Sequence, residues 1–489
     1  MRLLHFDVDT TRADHLGCYG YSRDTSPNMD RIAAGGVRVE QCFVSDAPCL
    51  PSRAALFMGK FGIHTGVVNH GGLQADPAPL GAAREFRQVA SELHFPGVMS
   101  AAGMRTVSIS PFAERHAAWW FYAGFNEMHN TGKCGMEIAD EAVPLALDWL
   151  GDNGNDDDWY LHVNVWDPHT PYRTPAEYPN PFADEPGPAW MTDEKIAAHR
   201  ASYGPNSASE VRNYSDLAGN ATHREPEQME NAADFKQWID AYDTGIHYAD
   251  MWLGRLVAKL EELGIADDTA ILISSDHGEN QGELNIYGDH HTADTITSRV
   301  PCILKWPGLD PMVAGGLHYQ GDVAATILEL LGLETPASWD FASFASALKS
   351  GHDSSAGRDC VVVSQCAWAC QRSVIHENWL MMRTYDTGLK AFPAVMLFDT
   401  AEDPHLQTDL AAEQPAVVAM LQAKLDEWHA EMMATSLTGV DPMEVVIGEG
   451  GPYHTRTAVE HYAKRLRATG RAHHAEFLEA LRGQPIDQV

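Results

Sequence analysis

The chain has 489 residues, 44% of them hydrophobic, so it is too long for one ordinary core and normal in composition for a globular protein. Its formal net charge of −34 argues against nucleic acid or an anionic membrane surface as partner and leaves no long-range attraction for an anionic substrate. No stretch approaches the roughly 18 uninterrupted apolar residues of a membrane helix. The apolar run after Met1-Arg2 is too short for a signal peptide, so a cytoplasmic location is expected.

In chain order, Leu3 to Val8 reads as a short apolar strand that ends in Asp9-Thr10-Thr11-Arg12. Asp7 and Asp9 share one face of that strand. Next comes CLPSRAALFMG, residues 49 to 59. Pro51 suits a first helical turn, Ser52 to Met58 propagates it and Gly59 stops it. Cys49 is thus expected just outside a helix N-terminus, where backbone N–H groups favour an anion. Arg53, in the first turn, is expected to reach back to anionic oxygen.

Ala142 to Leu150 reads as a helix, followed by a strand from Trp159 to Val165 that ends in Trp166-Asp167-Pro168-His169. Residues 170 to 234, rich in Pro, Asn, Asp and Ser, read as an insertion or lid over the strand ends. Phe235 to Leu263 has helical apolar spacing and stops at Gly264. Thr269 to Ser274 is a third strand, ending in Ser275-Asp276-His277-Gly278. This alternation predicts an α/β fold with a mostly parallel central sheet flanked by helices. The three polar clusters would then meet at the carboxyl ends of the strands, where such sheets bind ligands.

A composition shift near 350 to 358 divides the chain into a catalytic domain, 1–355, and a C-terminal subdomain with a helical tail, 356–489. Cys360 to Gln365, Trp379 to Tyr385 and Met396 to Phe398 read as strands of an antiparallel sheet, followed by helices at Pro415 to Met433 and Ala458 to Leu466. Cys360, Cys366 and Cys370 lie close together and read as small buried hydrophobes on and around a strand, with a metal or redox cluster as the alternative.

The Cys49-x-Pro51-x-Arg53 string, with Ser52, Leu56 and Gly59, resembles the signature of the formylglycine-dependent (type I) sulfatases of the alkaline phosphatase superfamily. In that signature the Cys is oxidised to formylglycine. FDVDTTRADHLGCYGY (residues 6 to 21), Asp276-His277-Gly278, Arg299-Val300-Pro301, Arg383, Leu397 to Asp399 and Asp403-Pro404 extend the resemblance from about residue 3 to about 433. It implies an alkaline phosphatase-like sandwich with a small C-terminal α+β subdomain, and hydrolysis of a sulfate monoester, with a carbohydrate sulfate as one candidate. A phosphonate monoester hydrolase or phosphodiesterase of the same superfamily is the alternative, and a non-catalytic anion-binding protein the more distant one.

By the same resemblance, Asp9, Asp276 and His277 hold a divalent metal, expected to be Ca2+ with Mn2+ as the other candidate. Asp7 is an extra candidate ligand because Thr10 stands where many relatives have a second Asp. Cys49 and Arg53 form the catalytic pair. His169 and His291 are the candidates to protonate the departing oxygen, with His291 preferred over its neighbour. Asn69, His116 and His290 are candidate substrate contacts. ISPFAERHAAWWFYAGF, residues 109 to 125, lacks a Lys found in many relatives; His116 or Arg115 is expected in its place, with Trp119 and Trp120 as core aromatics. A formylglycine-generating enzyme is the implied maturation partner, and the oligomeric state is left open.

Overall fold

The computed structural model describes residues 1–78, 93–133, 135–211, 224–351 and 357–482. The central sheet contains β1 (Arg2–Val8), β2 (Val37–Phe43), β4 (Arg105–Ile109), β5 (Glu127–His129), β6 (Trp159–Val165), β7 (Thr269–Ser274), β8 (Arg299–Val300), β9 (Cys302–Lys305) and β10 (Met312–Tyr319). Its order is β10-β2-β9-β7-β1-β6-β4-β5, with β8 beside β2. The pairs β1–β6, β1–β7, β4–β6, β4–β5 and β10–β2 are parallel, whereas β9 runs antiparallel to β2 and β7.

Strand alternation sorts the two faces. Leu4, Phe6 and Val8 pack under the helices Ala139–Asn153 and Ala232–Glu262. The longer helix begins at Asn231, whose Oδ1 accepts from Ala233 N and Asp234 N, and Gly264 follows it at φ +72°. The opposite face packs against the Cys49–Met58 and Gln320–Leu330 helices. That face carries a polar column, because His5, Asp7 and Asp9 alternate with the apolar set. His5 is held by the Tyr160 hydroxyl at 2.9 Å and the Ser274 hydroxyl at 2.8 Å, and His162 Nε2 lies 3.2 Å from Asp7.

The second sheet runs β14 (Val395–Asp399), β13 (Trp379–Asp386), β12 (Cys370–His376), β11 (Val361–Gln365) and then β3 (Asp46–Ala47). Its antiparallel core was expected, but β12 was not among the strands read from the sequence. Nor was β3, which pairs parallel with β11 through Asp46 and Ala47. The strand immediately before Cys49 therefore belongs to the sheet of the C-terminal part, and the two sheets are not separate in sequence. The boundary at 355/356 lies outside the described residues.

The 170–234 segment is more than a lid. Tyr172, Met191, Ile196, Ala208, Val211 and Met229 join the core against the long helix; residues 212–223 of this segment lie outside the described set. Cys366 and Cys370 are buried beside Val68, Met443 and Val446, whereas Cys360 is half-buried. Trp120 is buried as expected. Trp119 is not a core residue: it is 53% exposed, and its indole N–H donates to Asp76 Oδ1 at 2.8 Å. The indole is held by that polar handle instead of by apolar packing.

Candidate active site

The parallel register of β1 with β6 and β7 places Asp7, Asn164 and Ser274 side by side, and the chain leaves all three strands on the same edge. Asp9 N donates to Val165 O at 3.0 Å, and Thr10 N donates to Asp276 Oδ1 at 3.2 Å, so the segments after β1 and β7 are tied together. At Gly278 an added Cβ would lie 2.1 Å from Ile296 O, so this turn has room only for glycine.

Cys49 is the first residue of its helix, not a residue outside it; Ser52 N donates to Pro48 O at 2.9 Å. Pro51 sits in the first turn, where no helical partner for its nitrogen is needed. Gly59 caps the helix at φ +68°. Arg53 does not reach back to Cys49. It points sideways to the sheet, where Nη1 meets Asp7 and Nη2 lies 3.0 Å from Asp9 Oδ2 and 3.1 Å from Asp276 Oδ2. One buried guanidinium thus faces three buried carboxylates.

That imbalance bears on a metal. Buried ions cost several kcal/mol each unless compensated, and one cation leaves two negative charges over. Burial, followed by the charge of Asp276, holds the Asp9 carboxyl well above the ordinary carboxylate range. Asp9 Oδ1 and His277 Nε2 are buried without a hydrogen-bond partner among the described residues. Ligand atoms of Asp9, Asp276 and His277 all lie within 4.8 Å of one another. His277 Nδ1 is 2.9 Å from Gly278 O, which leaves Nε2 free to accept a metal. The three residues fit a divalent cation. Asp7 lies outside this group, engaged by Arg53 and by His162.

Imidazoles surround Cys49. His116 Nε2 is 3.4 Å and His70 Nε2 3.5 Å from its Sγ. Cys49, His277 and His290 also form a group within 4.8 Å. His290, not the preferred His291, therefore faces Cys49. His291 stacks on the Trp368 indole at 3.9 Å. Asp289 touches both, at 3.2 Å from His290 Nε2 and 3.5 Å from His291 Nε2. His169 stacks on Trp166 at 4.6 Å, with its ring 5.5 Å from that of His290. Burial keeps His70, His116, His169 and His290 well below the ordinary imidazole range, so they are neutral at pH 7.

Asn69 is buried and supports its neighbour: its Oδ1 accepts from His70 N at 2.8 Å and lies 3.4 Å from Tyr453 N. Arg115 spreads its guanidinium 4.4 Å from the Trp166 ring centre, close enough to act electrostatically on Cys49, His116 and His169. Four participants were not read from the sequence. His70 follows Asn69 directly, and that adjacency was its only signal. Trp368 lies at a tight turn before β12. Lys390, whose ammonium is pushed down to about 7 by burial, donates to Pro205 O. His454, from the tail, lies 2.9 Å from His70 Nδ1.

Burial, and then Asp9 and Asp276, push the Cys49 thiol far above the ordinary range. An unmodified Cys49 in the metal-free site is therefore a neutral thiol and a poor nucleophile.

The sulfatase family model matches residues 4–333. A choline-sulfatase of Rhizobium meliloti (strain 1021) is 24% identical over 450 residues, covering 83% of this chain and 82% of its own. A protein solved in complex with its substrate D-glucosamine-2-N,6-O-disulfate superposes with a TM-score of 0.71 at 17% identity, covering 91% of this chain and 99% of its own. The phosphonate monoester hydrolase of Agrobacterium radiobacter does so with a TM-score of 0.65 at 18% identity, covering 88% and 96%. The alkaline phosphatase-like fold, the matched 330-residue core and the site at its strand ends lead to one conclusion: this chain belongs to the sulfatase family and is a sulfatase-type hydrolase.

Proposed function

We propose that the protein hydrolyses a sulfate monoester with a formylglycine made from Cys49 by a formylglycine-generating enzyme, and with a divalent cation, Ca2+ in the first instance, at Asp9, Asp276 and His277. The observation that carries this reading is the position of Cys49. It lies at a helix N-terminus, within 4.8 Å of His277 and His290, yet its own thiol is held neutral.

When present, the hydrated aldehyde supplies an oxygen nucleophile and the cation supplies Lewis acidity toward a sulfate oxygen. The remaining work falls to side chains described above. Arg53 neutralises part of the charge on Asp7, Asp9 and Asp276, and so helps to keep Asp9 and Asp276 in place for the cation. His116 and His70 flank the position of the nucleophile and can take up its proton at Nε2. His290 and His169, with rings 5.5 Å apart, are the candidates to pass a proton to the departing oxygen, one of them first taking up a proton because both rest neutral. Arg115 adds positive charge near an ester that the acidic protein surface does not attract.

A saccharide sulfate is the favoured substrate class. The exposed Trp119 and the partly exposed Tyr453 and Tyr122 offer aromatic faces around the chain segments that carry His116 and His454. The glucosamine disulfate bound by the structural relative is consistent with that choice.

The pair Asp276-His277 supports a second reading, a phosphonate monoester hydrolase, since such enzymes of the superfamily share that pair. Peptide mass analysis of protein made with an active maturation enzyme tests the shared premise: conversion of Cys49 lowers the mass by about 18 Da. Rates on matched aryl sulfate and aryl phosphonate monoesters then choose between the readings. An intact thiol, or full turnover by Cys49→Ala, overturns both.

A further inference from the structure

Cys49 Sγ has two imidazole nitrogens at nearly equal distances, 3.5 Å to His70 Nε2 and 3.4 Å to His116 Nε2. A thiol carries one hydrogen and can donate to only one of them. The geometry has another interpretation. Zn–S bonds of about 2.3 Å and Zn–N bonds of about 2.05 Å at a tetrahedral angle place S and N about 3.6 Å apart. The two observed separations are close to that value, and the three ligand atoms lie within 4.8 Å of one another.

The surroundings also suit a metal. His70 Nδ1 is 2.9 Å from His454 Nε2, the type of outer contact that orients a ligating imidazole. His454 is itself fixed by ring stacking on Trp368 at 4.4 Å and by its backbone N–H, which donates to Ala367 O at 3.1 Å. Cys49 is buried, whereas His70 and His116 are half-buried, so an ion can enter from their side.

We infer that, while Cys49 is still a thiol, Cys49, His70 and His116 form a second metal site that takes Zn2+ or another thiophilic divalent ion such as Co2+. The thiol proton leaves to solvent as the sulfur–metal bond forms, and water takes the fourth position. The oxygen-rich Asp9–Asp276 group on the other side of Cys49 suits a harder ion, so the two sites sort cations by softness. Conversion of Cys49 removes the sulfur and with it the soft site. The inference concerns the unconverted chain and stands independently of which ester the converted enzyme hydrolyses.

The test uses full-length protein produced without formylglycine-generating activity and titrated with Co2+. The expected result is one tightly bound ion, with tetrahedral visible bands and a near-ultraviolet thiolate-to-cobalt charge-transfer band. His70→Ala and His116→Ala weaken binding at least about tenfold, and His454→Ala by about 10–100-fold. Asp276→Asn retains the band. X-ray absorption of the Zn2+ form needs no variant and is expected to show one sulfur and two imidazole nitrogens. Absence of the charge-transfer band, or of sulfur in the coordination shell, overturns the inference. So does a band that persists in His70→Ala/His116→Ala, or one lost in His290→Ala while His70→Ala keeps it, which would place the ion at Cys49, His277 and His290.

Discussion

His454 Nε2 lies 2.9 Å from His70 Nδ1, across 384 residues of chain. Because His70 uses Nδ1 for this contact, its Nε2 is the nitrogen that faces Cys49. The tail is thereby a wall of the site. The next helix of the tail is anchored too, where the Tyr462 hydroxyl accepts from Gly204 N at 2.6 Å.

The first prediction concerns that contact. In the converted enzyme, His454→Ala frees the His70 ring to rotate, and kcat/KM on an aryl sulfate falls about tenfold, or ~1.4 kcal/mol. The midpoint of thermal unfolding moves by only a few degrees, about what the loss of one hydrogen bond produces. Steady-state kinetics and a melting curve on the same preparation check both parts. Unchanged kinetics would remove the tail from the site.

Arg53→Ala leaves Asp7, Asp9 and Asp276 without their buried counter-charge. The expected cost is about 3–5 kcal/mol of folding stability without metal. A divalent cation can take over part of the compensation, so the rise in melting temperature on adding Ca2+ should exceed that of the unsubstituted protein. An ion present at 100 times its Kd contributes about 2.7 kcal/mol. Thermal denaturation with and without Ca2+ reads the difference. Equal shifts in the two proteins would contradict the shared role of Arg53 and the cation.

A third prediction uses pH and a residue away from the metal group. Burial pushes the His94 imidazole down to about 4 from an ordinary value near 6.5. Between those values the unfolded chain binds a proton that the folded chain refuses, so stability rises with pH across the window. It is complete above about 6.5 and is lost as pH falls toward about 4, with a slope of at most about 1.4 kcal/mol per pH unit from this residue. His94→Leu should flatten the acid limb by that amount in urea unfolding from pH 4 to 7. An unaltered slope would show that His94 is not held neutral.

Gly388 provides a backbone test. It sits at φ +58°, and an added Cβ would lie 1.6 Å from Trp368 O. Gly103 also has positive φ, at +95°, but faces open space. Gly388→Ala should therefore cost more than the 1–3 kcal/mol or so of backbone strain expected at Gly103→Ala. It alone should lower kcat/KM, because Trp368 carries His291 and His454. Paired urea and kinetic measurements on the two variants decide the matter.

Much of this site was legible because its residues follow short, apolar strands. Asp9, His169, Asp276 and His277 come directly after β1, β6 and β7, and a parallel sheet brings such ends together whatever the detail of its packing. The helix that carries Arg53 was readable from Pro51 and Gly59. The direction of the Arg53 side chain was not, since it depends on where the helix lies over the polar face of β1. The choice between His290 and His291 had the same origin. Adjacent residues in a loop have no fixed face, and the stacking of His291 on Trp368 leaves the His290 ring beside Cys49.

The sequence by itself determined the strand-helix alternation, a helix between Pro51 and Gly59 and the arrival of Asp9, Asp276 and His277 at strand ends, because local periodicity and chain continuity are enough to define them. Tertiary structure alone decided that β3 joins the second sheet, that Trp119 is outside the core, and that His70 and His454 meet beside Cys49. Those outcomes depend on contacts between segments far apart in the chain, from 43 residues for Trp119 and Asp76 to 384 for His70 and His454, where the pattern near either residue carries no information about the other.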